Sequence, residues 1–416
     1  MSLLTEASLI VTPNGYNVGK LYSVIPNTTL GDMDVSRATT ATRVNSAGLI
    51  ELMPINVPRL DYTLGSCPSI LVEPLRTNLV LQSQTLDNAS WTKLPTGTGI
   101  APVVTANQGT APDGTMTAER VQFNCVGNLS ADRSILLQGS LVTTIATRYY
   151  QSIYVKAFSS GEVGKQLRIA ADGLNIPNTV ITITADWQRI VLNGLANATT
   201  TNFIVETRGT FTTPTNTTAD VLLWGAQMEA GSNATSYIPT TTLIAGTTRN
   251  ADVISKTGII SLIGQTEGTL FLDAKYLASA TSSGRWFKLF GVSNEIGLAL
   301  NGVNSVRAII NGLSDTITTS PKTDLGIKIA FAYNATGVVL FINGTQYALP
   351  LGGAQIMTSL DSIIFDAAVN PQFQQGEVNS FILFKTRLTD DQCILLTGAS
   401  FSSYPEMANA LIYTIQ

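Results

Sequence analysis

Residues 179–184 read Thr-Val-Ile-Thr-Ile-Thr. Apolar side chains trade places with threonine hydroxyls, and a period of two puts alternate side chains on opposite faces of an extended chain. Such a run predicts a strand with one face in a core. The same reading extends outward. Leu167-Arg-Ile-Ala, Arg189-Ile-Val-Leu, Asn202-Phe-Ile-Val-Glu and Val221-Leu-Leu-Trp are short runs of this kind. Between them stand Asp172-Gly173, Asn193-Gly194 and Pro214, residues suited to turns. Helical periodicity is nearly absent here. Many short strands separated by turns predict a β-sandwich or jelly roll.

The pattern restarts after a threonine-rich hinge, residues 239–248. Strand candidates follow at Thr269-Leu-Phe-Leu-Asp, Trp286-Phe-Lys-Leu-Phe, Ile296-Gly-Leu-Ala-Leu, Val306-Arg-Ala-Ile-Ile, Ile327-Lys-Ile-Ala-Phe, Val338-Val-Leu-Phe-Ile and Phe381-Ile-Leu-Phe. Asn311-Gly312 and Asn343-Gly344 lie between apolar runs, where a type I′ hairpin turn is favoured. Thr389-Asp-Asp-Gln392 reads as a capping box, opening a helix that stops near Gly398. A second short helix is expected from Pro405. Residues 1–76 carry many turn signals, among them Pro13-Asn-Gly15, Asn56-Val-Pro58 and Glu73-Pro74. They read as too irregular for a sandwich of their own. The expected fold is therefore mainly β: two tandem antiparallel sandwiches, 77–244 and 245–416, behind an irregular N-terminal arm, 1–76. The arm is expected to be held by a partner or a sister subunit.

Composition narrows the chemistry. Of 416 residues 44% are hydrophobic, only 12% are charged, and none is histidine. A Ser-His-Asp triad, a Cys-His dyad and any histidine-bearing zinc site are excluded. The net charge is -4, with no basic stripe for nucleic acid. Cys67, Cys125 and Cys393 are far apart and odd in number, so free thiols are expected. No apolar run approaches the length of a membrane-crossing helix. The first ten residues lack the pattern of a secretory signal.

Three stretches resemble modules of tailed-bacteriophage virion proteins such as fibres and spikes. The first comprises Ala41-Thr-Arg-Val-Asn-Ser-Ala-Gly-Leu-Ile-Glu51, Asn56-Val-Pro-Arg-Leu-Asp-Tyr62 and Leu71-Val-Glu-Pro-Leu-Arg-Thr-Asn-Leu79. The second opens with Asn88-Ala-Ser-Trp-Thr-Lys93 and Ala111-Pro-Asp-Gly-Thr-Met-Thr-Ala118. It closes with Leu223-Trp-Gly-Ala-Gln-Met-Glu-Ala-Gly-Ser232 and Ala234-Thr-Ser-Tyr-Ile-Pro-Thr240, and it looks like a carbohydrate-binding-module jelly roll. The third, Val338-Val-Leu-Phe-Ile-Asn-Gly344 with Phe384-Lys-Thr-Arg-Leu-Thr-Asp390, is similar to laminin-G and concanavalin-like sandwiches. The resemblance implies a structural protein made in a bacterial cytoplasm and carried on the outer surface of a virion. Expected partners are capsid, collar or tail proteins, sister subunits in a homodimer or homotrimer, and host-surface glycans. Neither nucleic acid nor membrane insertion is expected. It leaves open whether architecture or host-receptor recognition is the main role.

Sugar binding needs an aromatic face for the CH side of a pyranose and hydrogen-bonding groups for its hydroxyls. Trp224 and Trp187 read as core. Trp91 and Trp286 stand near a domain start and at a loop-to-strand junction; either edge packing or exposure fits, and they are the glycan candidates. By analogy with carbohydrate-binding jelly rolls, Asp87, Asp113 and Glu229 could contribute oxygens to a structural calcium. The alternative is that Asp113-Gly114 is a turn and Glu229 a solvated rim residue. Polysaccharide depolymerisation would need two suitably spaced carboxylates. The Glu-x-Asp-x-Glu pattern of sandwich glycosidases is missing, and Glu267…Asp273 and Asp390-Asp391 do not replace it. No catalytic residue and no cofactor are expected.

Overall fold

The computed structural model describes residues 3–176, 179–210, 217–241, 244–276, 283–301, 305–318, 326–349, 357–366 and 376–398. The chain is mainly β, in antiparallel sandwiches, and falls into two compact units. One comprises residues 1–48, 52–75 and 250–416; the other comprises 49–51 and 76–249. The second unit is thus an insertion in the sequence of the first. Its two ends are zipped: Arg76–Asn78 pairs with Thr247–Arg249, and the Thr77 and Thr248 hydroxyls meet at 2.8 Å.

In the first unit one ladder bends back on itself. From the strand Ala7–Asn17 it runs one way through Lys20–Ile25, Met33–Ser36, Val253–Lys256 and Leu360–Asp366 to Ser283–Gly291. The other way it passes Gly376–Phe384, Gly268–Tyr276 and Ile327–Asn334 to Gly337–Ile342. Phe287 and Phe365 on one side meet Phe381 of the other, with ring centroids 4.7 and 5.6 Å apart. The helix Asp390–Gly398 covers the outer face with Cys393 and Leu396, against Phe271, Phe341 and Phe384. Its capping box is formed: the Gln392 amide donates to Thr389 Oγ1, and the Thr389 amide donates to Gln392 Oε1 at 2.8 Å. Both expected Asn-Gly turns have positive φ at both residues, 48° and 82° at Asn311-Gly312 and 47° and 81° at Asn343-Gly344. The helix expected from Pro405 lies outside the described residues.

The first segment differs from expectation. Ala7–Asn17 is flanked on both sides by strands of the first unit, pairing with Lys20–Ile25 and with Gly376–Phe384. Leu9 and Val11 are buried in the main core and Ile10 in the outer one. Its turn residues join hairpins, so residues 1–75 are not an arm apart. Charge reinforces this. Arg37 Nη1 donates to Asp252 Oδ1 at 2.8 Å, Arg59 Nη1 to Glu73 Oε2 at 2.6 Å, and Arg59 Nη2 to Asp252. All four side chains are buried. Burial alone would lower the Arg59 pKa, but Asp252 and Glu73 hold it above the ordinary arginine value.

The second unit packs two five-stranded sheets face to face. The first sheet has the order Ile100–Gly109, Ala118–Asn124, Thr218–Ala230, Arg148–Ala157, Gln188–Leu195. The second has the order Thr179–Thr182, Gln166–Asp172, Thr200–Arg208, Arg133–Val142, Thr92–Thr96. The core between them takes the inward halves of the predicted runs: Leu167, Ile169, Ile181, Phe203, Val205, Val221 and Leu223. Asn193-Gly194 is not a turn. It lies within Gln188–Leu195, opposite Tyr150 and Tyr149, because strand pairing outweighs the local turn preference.

Candidate functional site: an aromatic ledge on the inserted unit

Trp91 is 1% exposed and meets Phe203 edge-on at 5.7 Å, with Nε1 donating to the Gln82 carbonyl. It is a core residue, which corrects its placement among the glycan candidates: a ring closed in by Phe203 cannot face a sugar. Trp286 lies in the strand Ser283–Gly291, and its side chain is outside the described residues. Asp113 accepts hydrogen bonds from the Thr115 amide at 2.9 Å and hydroxyl at 2.6 Å, the geometry of a turn. Glu229 is buried, not on the rim. Its Oε1 accepts from Gln227 Nε2 and the Thr235 amide, both at 2.7 Å, and its Oε2 from the Thr235 hydroxyl at 2.6 Å. Asp87 lies beside a different acid, Glu119, whose Oε2 accepts from the Asp87 amide at 2.7 Å. Burial, and then the Asp87 charge, push Glu119 up to about 7. The three calcium candidates are therefore not brought together, and among the described residues no group of three His, Cys, Asp or Glu side chains is placed to hold a metal.

The outer face of the sheet carrying Arg148–Ala157 holds a more suitable surface. In that strand Tyr149, Ile153 and Val155 point into the core, so the alternation sends Tyr150, Ser152, Tyr154 and Lys156 outward. Tyr154 stands opposite Arg189 on one neighbouring strand and Trp224 on the other. It meets Trp224 edge-on at 5.6 Å, and Trp224 lies 4.5 Å from Tyr237. A register shift between Ser152 and Tyr154 makes room for this stack. Gly225, at φ 66°, occupies the shifted stretch; a Cβ there would lie 3.1 Å from Tyr154 and 3.4 Å from Tyr237. Trp224 and Tyr237 are buried, and burial pushes the Tyr237 hydroxyl far above the ordinary tyrosine range.

Above this floor Tyr154 and Trp187 are only half-buried. Trp187 packs on the Trp224 cluster, and its Nε1 donates to the Thr110 carbonyl at 3.1 Å, which fixes the ring. Trp187 thus belongs to the ledge and not to the main core. Arg189 Cζ sits 5.7 Å from the Tyr154 ring centroid, and Nη2 donates to Thr235 O at 2.7 Å and Ser152 Oγ at 3.1 Å. Its buried Nε makes no hydrogen bond. Two anchored rings beside cationic donors Arg189 and Lys156 can take the CH face of a sugar and its hydroxyls together. In the sequence, Arg148-Tyr-Tyr-Gln-Ser-Ile-Tyr-Val-Lys156 carries the signal, three tyrosines in a strand of period two.

No family model matches the chain, and neither does any curated protein. Solved structures give partial likenesses. The CBM40 domain of a Ruminococcus gnavus IT-sialidase is similar at 16% identity and a TM-score of 0.28, over 32% of this chain and 84% of that one. The receptor binding domain of botulinum neurotoxin C/D mosaic serotype is similar at 13% identity and 0.29, over 35% and 40%. The botulinum neurotoxin type G receptor binding domain is similar at 12% and 0.27, over 34% and 38%. The match thus spans less than half of either toxin chain.

Proposed function

We propose that this chain is a non-catalytic binding protein that engages glycans through the ledge formed by Tyr154, Trp187 and Arg189. The observation that carries this reading is the pairing of two half-exposed rings, Tyr154 and Trp187, with the Arg189 guanidinium 5.7 Å from the Tyr154 ring centroid. The sequence resemblance to tailed-phage virion proteins supports a place on the outer surface of a virion, beside capsid, collar or tail proteins and sister subunits. Repeated copies there would turn weak sugar binding into avidity. A glycan array with the purified chain, followed by titration of its best sugar, tests the reading. Tyr154→Ala and Trp187→Ala are each expected to weaken binding by about tenfold or more, the loss of one stacking face. A silent array, or unchanged affinity in both variants, would refute it.

A further inference from the structure

The opposite sheet of the inserted unit carries an unbalanced charge cluster. Glu206 is fully buried and points outward from Thr200–Arg208, as its neighbours Phe203 and Val205 point inward. Three guanidinium groups converge on it. Arg133 Nε donates to Oε2 at 2.8 Å and Arg133 Nη2 to the same oxygen; Arg168 Nη1 and Arg208 Nε both donate to Oε1. Among the described residues three guanidinium groups share this one carboxylate. Other ion pairs of the unit are one to one, such as Arg120 with Asp220 and Lys165 with Glu162. Moreover, Arg133 and Arg208 stand directly opposite each other across two strands, an arrangement that like charges disfavour. The chain as a whole is negative, at -4, so this gathering of positive charge is local.

The cluster is also accessible. The Arg133 and Arg208 side chains are each 24% exposed. Arg133 Nη1 and both Nη groups of Arg208 make no hydrogen bond among the described residues. Guanidinium forks with free N–H groups suit a planar oxyanion.

We propose that Arg133, Arg168 and Arg208 form a binding site for the carboxylate of an acidic saccharide, with Glu206 as their fixed internal counter-ion. That an anion binds here is independent of the aromatic ledge; that a sugar carries it rests on the glycan-binding reading. The carboxylate supplies negative charge beside the two partly exposed guanidinium groups, Arg133 and Arg208.

Titration calorimetry of the full chain with an oligogalacturonate tests this, with a neutral maltooligosaccharide, inorganic sulfate and inorganic phosphate as separate arms. The uronate is expected to bind and to weaken as salt rises. The double variant R133Q/R208Q should lower its affinity by about tenfold or more. R133K/R208K, which keeps charge without the fork, should fall between, and Glu206→Gln should bind more tightly. Sugar binding at the ledge is read separately, in the neutral maltooligosaccharide arm, so failure of the ledge and failure of this site are distinguishable. No uronate binding by the wild-type chain, or binding unchanged in R133Q/R208Q, would overturn the proposal. So would binding of sulfate or phosphate without the uronate.

Discussion

Each unit gathers arginines around buried acids, but on different terms. In the first, Arg37 and Arg59 face Glu73 and Asp252: two charges against two, all out of water. In the second, Arg133, Arg168 and Arg208 share the carboxylate of Glu206, and two of the three guanidinium groups reach the surface. A closed and balanced set has nothing left to offer a ligand, and its removal penalises folding. An open and unbalanced set costs the fold some repulsion and keeps donors for another molecule. Charge count and exposure together separate a structural lock from a binding site; the number of ion pairs does not.

The largest effect should come from Asp252→Asn, which strips the charge shared by Arg37 and Arg59. Removing one partner of a buried network costs about 3–5 kcal/mol, and a lower denaturation midpoint of the unit would report it. A midpoint equal to wild type would erase the contrast between the two clusters.

Next is a pH effect. Burial first, and then Asp61, push Glu377 up to about 7 from 4.5, with Lys275 opposing. Between those values the unfolded chain releases a proton that the fold retains, so stability should fall as pH rises and level off above about 7. Glu377→Gln should flatten this slope by on the order of 1–3 kcal/mol, read from urea melts across the range. Glu119, also near 7, should give the same sign in the inserted unit, so Glu119→Gln separates the two contributions.

Thr389→Ala should remove the side-chain half of the capping box and cost about 1 kcal/mol, without changing either binding activity. The smallest stability effect should be that of Arg208→Gln, under about 1 kcal/mol because the side chain is partly solvated. A large drop in melting temperature for this variant would make the open cluster a second lock.

The sequence was most legible where structure is local. Alternation in Leu167-Arg-Ile-Ala and Asn202-Phe-Ile-Val-Glu identified strands and their inward faces, and Asn-Gly turns and the Thr389–Gln392 box formed as read. It was least legible where a strand's partner is remote. Ala7–Asn17 has one partner close by, Lys20–Ile25, but the other, Gly376–Phe384, lies more than 300 residues on, and the turn-rich sequence read as an arm. Trp91 was misplaced because the ring that buries it, Phe203, belongs to a distant strand. The ledge and the arginine cluster depend on register. Arg133 and Arg208 face each other only because their strands align residue by residue, and Tyr154 reaches Trp224 only across a bulge.

The zipped ends of the insertion carry a last consequence. Arg76 and Arg249 sit side by side, so the host chain is interrupted by a gap no wider than the spacing of neighbouring strands, about 5 Å. A segment whose ends lie so close together can be exchanged like a cartridge, its replacement joining the chain at those two ends. New surface preferences could then be acquired by recombination in one step, while the scaffold that receives them keeps its own core and its own charge lock.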